Sequence, residues 1–205
     1  TVAYEMLEDN IGYVQVTVFD EVTTDQYIDG VDVLKAQGME GLIVDIRDNP
    51  GGLLSCVVDM LDYMLPEGTI VYTEDKNGEG DTYTSDAEHY FDLPLAVLVN
   101  GNSASASEIF SGAIQDYETG TIIGTQTFGK GIVQSILPFN DGSAIKITVS
   151  RYFTPRGTCI HGEGITPDVE VDLNEELKTK LTIEKSEDNQ LQKAIENVKE
   201  QIAAE

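Results

Sequence analysis

The stretch Gly41-Leu42-Ile43-Val44-Asp45-Ile46-Arg47-Asp48-Asn49-Pro50-Gly51-Gly52 is an apolar run that ends in a glycine turn. Leu42 to Ile46 reads as a strand buried on both faces, because its apolar residues follow one another without polar alternation. Pro50-Gly51-Gly52 then releases the chain into Leu53 to Met64, a predicted helix that Pro66-Glu67-Gly68 ends. Upstream, Ile11 to Phe19 alternates like a strand with one buried face, and Val22 to Gln37 carries apolar residues at helical intervals before Gly38. Strand, helix, strand, helix is an α/β opening.

Downstream, the sequence predicts a polar hairpin-like excursion at Thr69 to Thr73, a buried strand at Leu95 to Val99 and a helix from Ala104 to Tyr117. Strands are expected at Thr121 to Gly124, Ile132 to Leu137 and Ala144 to Val149, the last two joined across Asn140-Asp141-Gly142. After Pro167-Asp168 the composition turns polar, with one helix expected from Asn189 to Ala203. The chain therefore divides into a core over residues 1–172 and a polar extension over 173–205 that packs on the core or follows it.

With 205 residues, 40% of them hydrophobic, the chain can bury a substantial core. Its 37 acidic residues against 12 Lys and Arg give a formal charge of −25. Such a surface repels phosphate, which argues against nucleic acid as a partner and against contact with anionic lipid. It suits a soluble protein in a salty or extracellular setting. No stretch is apolar over the length a bilayer requires. Cys56 and Cys159 lack metal-ligand spacing and are expected to be unbridged. Asp75-x-Asn77-x-Glu79-Gly80 echoes a calcium loop, but its flanks are strand-like, so an acidic solvated hairpin is expected.

Chemistry gathers in three loops, each at the end of an apolar run: Asp48 to Gly52, Asn102 to Glu108, and Phe128 to Gly131. Ser105 with Glu108 forms the spacing of a capping box, which satisfies backbone donors at a helix start. The same position suits a nucleophile, because a helix N-terminus favours developing negative charge. Spacing alone does not choose among Ser103, Ser105 and Ser107. His89 and His161 stand outside turns of catalytic shape, so Lys130, between Gly129 and Gly131, is the better candidate base.

A lysine amine ordinarily titrates near 10.4, and acting as a base near neutrality requires a fall of about three, roughly 4 kcal/mol. Burial in an apolar pocket supplies this, whereas a touching carboxylate opposes it. The amine of Lys130 is thus expected to turn inward, with no Asp or Glu against it. Gln134 is expected on the same strand face, with a bulge at Gly131 or a lysine lying back along the strand to bring the two together. The Gly51 and Gly52 amides, with that of Ala106, offer an oxyanion hole.

Four segments in order resemble the carboxyl-terminal processing peptidases, or tail-specific proteases. They are Gly41 to Gly52, Asn102 to Ile109, the run Gly124-Thr-Gln-Thr-Phe-Gly-Lys-Gly-Ile-Val-Gln134, and Arg151-Tyr-Phe-Thr-Pro-Arg-Gly157. The resemblance extends from about Glu5 to Asp172. It implies a Clp protease/crotonase-like fold of layered sheets with flanking helices. It further implies Ser105 as nucleophile, Lys130 as general base 25 residues on, and Gln134 as the residue that positions the lysine. The oxyanion hole would come from the amides of Gly51 and Ala106, with Gly52 as substitute for Gly51.

By the same resemblance the enzyme needs no metal or other cofactor, acts on protein or peptide C-terminal tails, and works outside the cytoplasm, in the cell envelope or periplasm. A PDZ domain commonly precedes the core in this family, and Thr1 stands where that domain would already have ended. An anchor or export signal would lie further upstream, and an oligomer is compatible with the sequence. Two rival readings fit the same residues: a peptide-binding domain with a misaligned site, and an esterase on the same fold.

Overall fold

The structure, a computed structural model, describes residues 1–86 and 88–204. A six-stranded sheet forms its centre, in the order β1 (Val2–Met6), β2 (Ile11–Val16), β3 (Gly41–Asp45), β6 (Leu95–Val99), β7 (Thr121–Gly124) and β10 (Val169–Glu170). The β1–β2 pair is antiparallel and every other pair is parallel. A second, antiparallel sheet runs β5 (Thr82–Ser85), β4 (Gly68–Glu74), β9 (Ala144–Phe153), β8 (Ile132–Pro138).

Strand alternation explains why the central runs are apolar throughout. Leu42, Val44, Leu95, Val97 and Val99 point into one core, shared with α1 (Thr23–Ala36), α2 (Leu54–Asp62) and α3 (Ala106–Tyr117). Ile43, Ala96, Leu98 and Ile123 point to the opposite face, where Leu191, Ala194 and Val198 of α4 (Asn189–Ala204) cover them. Neither face of this sheet meets water over its central strands, so both residue parities must be hydrophobic.

Several boundaries differ from expectation. The first predicted strand stops at Val16, and Phe19 instead makes a lone parallel bridge to Gly52. The Thr69 to Thr73 excursion is a seven-residue strand that pairs with both β5 and β9. β9 continues four residues past Val149, to Phe153, because its far end pairs with β4. Asp75 to Gly78 makes the turn between β4 and β5, where Asp75 Oδ1 accepts the N–H groups of Asn77 and Glu79. Both cysteines are free.

Candidate active site

Both parallel strands β3 and β6 end at one rim of the central sheet, and their following loops meet there. Asn49, fully buried, joins them: its Nδ2 donates to Val16 O at 2.9 Å and its Oδ1 accepts the Gly51 N–H at 2.9 Å. Its backbone carbonyl accepts from Ala104 N–H at 3.1 Å and from Ser107 Oγ at 2.9 Å. A side chain added at Gly51 would come within 2.6 Å of Ala104 O and 2.9 Å of Ser105 Cβ, and φ there is +99°. Only glycine lets the two loops close on each other at this point.

The three serines left open by spacing have different fates. Ser103 is buried, accepting from Asn100 N–H and donating to Ile46 O at 2.8 Å. Ser107, also buried, donates to Asn49 O. Ser105 is partly exposed, and its hydroxyl donates to no acceptor among the described residues. Its backbone is held at φ 58° and ψ −113°, outside the ordinary regions for a residue with a Cβ. Strain of this kind costs about 1–3 kcal/mol and persists only where surroundings impose it.

Glu108 imposes it. The carboxylate is completely buried in the first turn of α3 and takes four hydrogen bonds. Its Oε2 accepts the backbone N–H of Ser105 and of Lys130, both at 2.8 Å. Oε1 accepts from Gly129 N–H at 2.6 Å and from Thr127 Oγ1 at 2.7 Å. The Thr127 hydroxyl is itself aimed by the Ile165 N–H, which donates to it at 2.7 Å. Two sequence-distant loops thus share one buried anion, and charge-assisted bonds of this type are stronger than neutral ones.

Lys130 lies in the loop before β8, so the strand-face argument that paired it with Gln134 does not apply. Its side chain is exposed rather than drawn into an apolar pocket, because Glu108 holds only the backbone N–H groups of residues 129 and 130, leading into its Cα. No hydrogen bond or ion pair among the described residues involves its amine. Gln134 is exposed on β8 and the structure shows no contact between it and Lys130. The expected bulge at Gly131 is absent: the register shifts at Val133/Gln134, where Val149 of β9 is the extra residue. Gly131 serves close packing instead, since a Cβ there would sit 2.5 Å from the His161 nitrogen.

The Ala106 amide has no acceptor among the described residues and faces the same rim as Ser105. Beside Gly52, Phe19, Asp20, Glu21, Val22 and Leu53 line an open recess of about 490 Å³. β8 ends its sheet, so among the described residues one flank of its backbone is unpaired next to the Lys130 loop.

Residues 10–171 match the model of peptidase family S41. The chain belongs to that family. Among its relatives, the Synechocystis sp. carboxyl-terminal-processing protease is 43% identical over 159 residues, covering 78% of this chain and 37% of the relative. Bacillus subtilis carboxy-terminal processing protease CtpA is 39% identical over 174 residues, covering 84% and 37%. The photosystem II D1 C-terminal processing protease superposes with a TM-score of 0.76 at 40% identity, over 79% of this chain and 42% of that one. Tricorn protease, at 20% identity and a TM-score of 0.61, covering 95% and 18%, shares the fold. The α/β architecture is therefore that of S41 peptidases, and this chain spans little more than a third of the length of the curated relatives cited.

Two features of this rim depend on contacts that sequence does not show. Glu108 was legible only as half of a capping box, and its bonds to residues 127–130 depend on the fold. Arg47 is the other. Its guanidinium meets Asp45 and Asp188, at 2.6 and 2.9 Å, at the foot of the Asn49 loop. Burial pulls its pKa down, but hydrogen bonds and charge from Asp45, then Asp188, more than reverse this and raise it. The Asp-x-Arg spacing before the glycine turn was the one available signal.

Proposed function

We propose that this S41 chain is the hydrolytic core of a serine endopeptidase that cuts proteins near their C-termini through an acyl-enzyme. Ser105 Oγ attacks the peptide carbonyl while neutral Lys130 takes its proton and then passes it to the leaving amine as the C–N bond breaks; water then hydrolyses the acyl ester, freeing the new C-terminus and Ser105. The observation that carries this reading is the arrangement at Ser105. Of three neighbouring serines it alone has a hydroxyl free to donate, on a backbone tied through one oxygen to that of Lys130. The two nitrogens are within twice 2.8 Å of each other, well inside the reach of a lysine side chain.

In this mechanism an extended substrate lies along the free flank of β8 as an added strand. Its backbone covers Lys130 and excludes the water that keeps the amine charged. Gln134 then receives the inward-turned amine. The Ala106 N–H and the Gly51 N–H face the oxyanion, which displaces Asn49 Oδ1 from Gly51; Gly52, whose N–H has no acceptor among the described residues, is the substitute. The recess beside Gly52 takes a substrate side chain.

The formal charge of −25 supports a site of action outside the cytoplasm. Among the described residues no helix is long and apolar enough to cross a membrane. The test is cleavage of a tail peptide together with fluorophosphonate labelling. Ser105→Ala and Lys130→Ala are each expected to abolish turnover, and activity retained by Lys130→Ala would remove lysine as the base.

A further inference from the structure

Everything from Asp172 onward lies outside the segment that matches the family model. Yet the first turn of α4 reaches back to the foot of the active-site loop. Asp188, immediately before α4, accepts the N–H groups of Gln190 and Leu191 at 3.1 Å and so caps the helix. The same carboxylate takes Arg47 Nη1 on Oδ1 at 3.1 Å and Nη2 on Oδ2 at 2.9 Å. Gln190 Oε1 accepts a further Nη1 bond at 3.0 Å, and its Nε2 donates to Val171 O at 2.7 Å. With Asp45 accepting from Nε and Nη2, all three guanidinium nitrogens donate a hydrogen bond, and Nη2 also pairs with Asp188.

Asp45 is two residues from Arg47 on the same strand end, so by itself it cannot fix the arginine relative to the rest of the molecule. Asp188 and Gln190 do so from 141 and 143 positions away. Beyond Arg47, rigidity passes directly to the site. Asp48 has φ 59°, its N–H donates to Asn100 Oδ1, and its carboxylate accepts from Asn100 and Asn102, which lead into Ser103. Asn49 follows, with its grip on Gly51.

We propose that Asp188 and Gln190 are positioning residues for the Ser105 site, holding the 48–51 loop in register through Arg47. The C-terminal segment is then part of the working enzyme rather than an appendage. This inference rests on the assignment of Ser105 as nucleophile. A displacement of about 1 Å in such a loop can lower reaction rates by up to about 100-fold.

Asp188→Asn in the full chain tests it, because asparagine still caps α4 while the second negative partner of Arg47 is lost. Fluorophosphonate labelling of Ser105 is expected to slow about tenfold, and amide hydrogen exchange across 48–52 to accelerate, at a nearly unchanged melting temperature. Val198→Ala, which loosens α4 on the sheet without touching Arg47, is the control and should leave both readouts near wild type. Unchanged exchange across 48–52 in Asp188→Asn, or equal effects in Val198→Ala, overturns the inference. Failure of the wild type to label would instead count against Ser105, and the exchange measurement still decides the role of Asp188.

Discussion

The backbone N–H groups of Ser105 and Lys130 donate to the same oxygen, Glu108 Oε2, each at 2.8 Å. A helix cap has become the joint between two sequence-distant loops. Replacing Glu108 by Gln puts an amide NH₂ among four donors, so at least one N–H loses its acceptor. The expected cost is about 2–4 kcal/mol in urea unfolding, since each hydrogen bond to a charged group contributes about 1.5–3 kcal/mol. Labelling at Ser105 should fall more than the unfolded fraction explains, because the two loops lose their common reference.

The serine cluster makes a sharper comparison. Ser105→Gly relieves the positive φ and is expected to raise stability by about 1 kcal/mol while abolishing labelling. Ser103→Ala leaves the Asn100 N–H unpaired and Ile46 O with only its 3.3 Å bond from Asn49 N–H, and should cost about 1–3 kcal/mol with labelling retained in the folded fraction. Thermal melts paired with labelling check both.

Gly51→Ala is expected to be inactive. Its Cβ would meet Ala104 O and Ser105 Cβ at a backbone angle that alanine disfavours. The loop must shift by tenths of an ångström or more, and the electrostatic stabilisation lost is typically about 100-fold in kcat for one misplaced oxyanion donor. Tail-peptide cleavage by the variant gives the answer.

Alkali should unfold the protein cooperatively. Burial raises the phenol of Tyr27, burial and then Asp45 raise that of Tyr13, and burial and then the bond to Asp32 raise that of Tyr63. A group whose pKa is raised on folding binds its proton more tightly in the native state. Its stabilisation is complete below the unfolded value near 10 and is lost as pH climbs above it. Phenolate absorbance of these three rings is expected to appear together with loss of helix signal. Tyr27→Phe should move that midpoint upward relative to its neutral-pH stability.

Legibility from sequence followed the range of the interaction. Buried runs such as Leu95 to Val99 announce themselves because both parities are apolar, and the Asn140-Asp141-Gly142 hairpin because its turn chemistry is local. β10 is two residues long and exists only through pairing with β7, so nothing in Val169-Glu170 marks it. β1 hides for a similar reason: its three central residues are exposed and mixed in character. Among Ser103, Ser105 and Ser107 the distinction lies in which hydroxyl meets Ile46 or Asn49, residues more than fifty positions away. The glycines on either side of position 130 are local and legible, but the inward turn expected of its lysine has no cause in the free chain, where the side chain is exposed.

The unpaired flank of β8 sits beside exposed Ile136, Leu137, Phe139 and Ile145. A ledge open to any extended polypeptide is open equally to another copy of the same molecule, and sheets with bare margins tend to zip together. The charge of −25 then acts as a colloidal spacer. Its reach shrinks from about 10 Å in 0.1 M salt to about 3 Å in 1 M, so the margin is guarded at a distance only in dilute electrolyte.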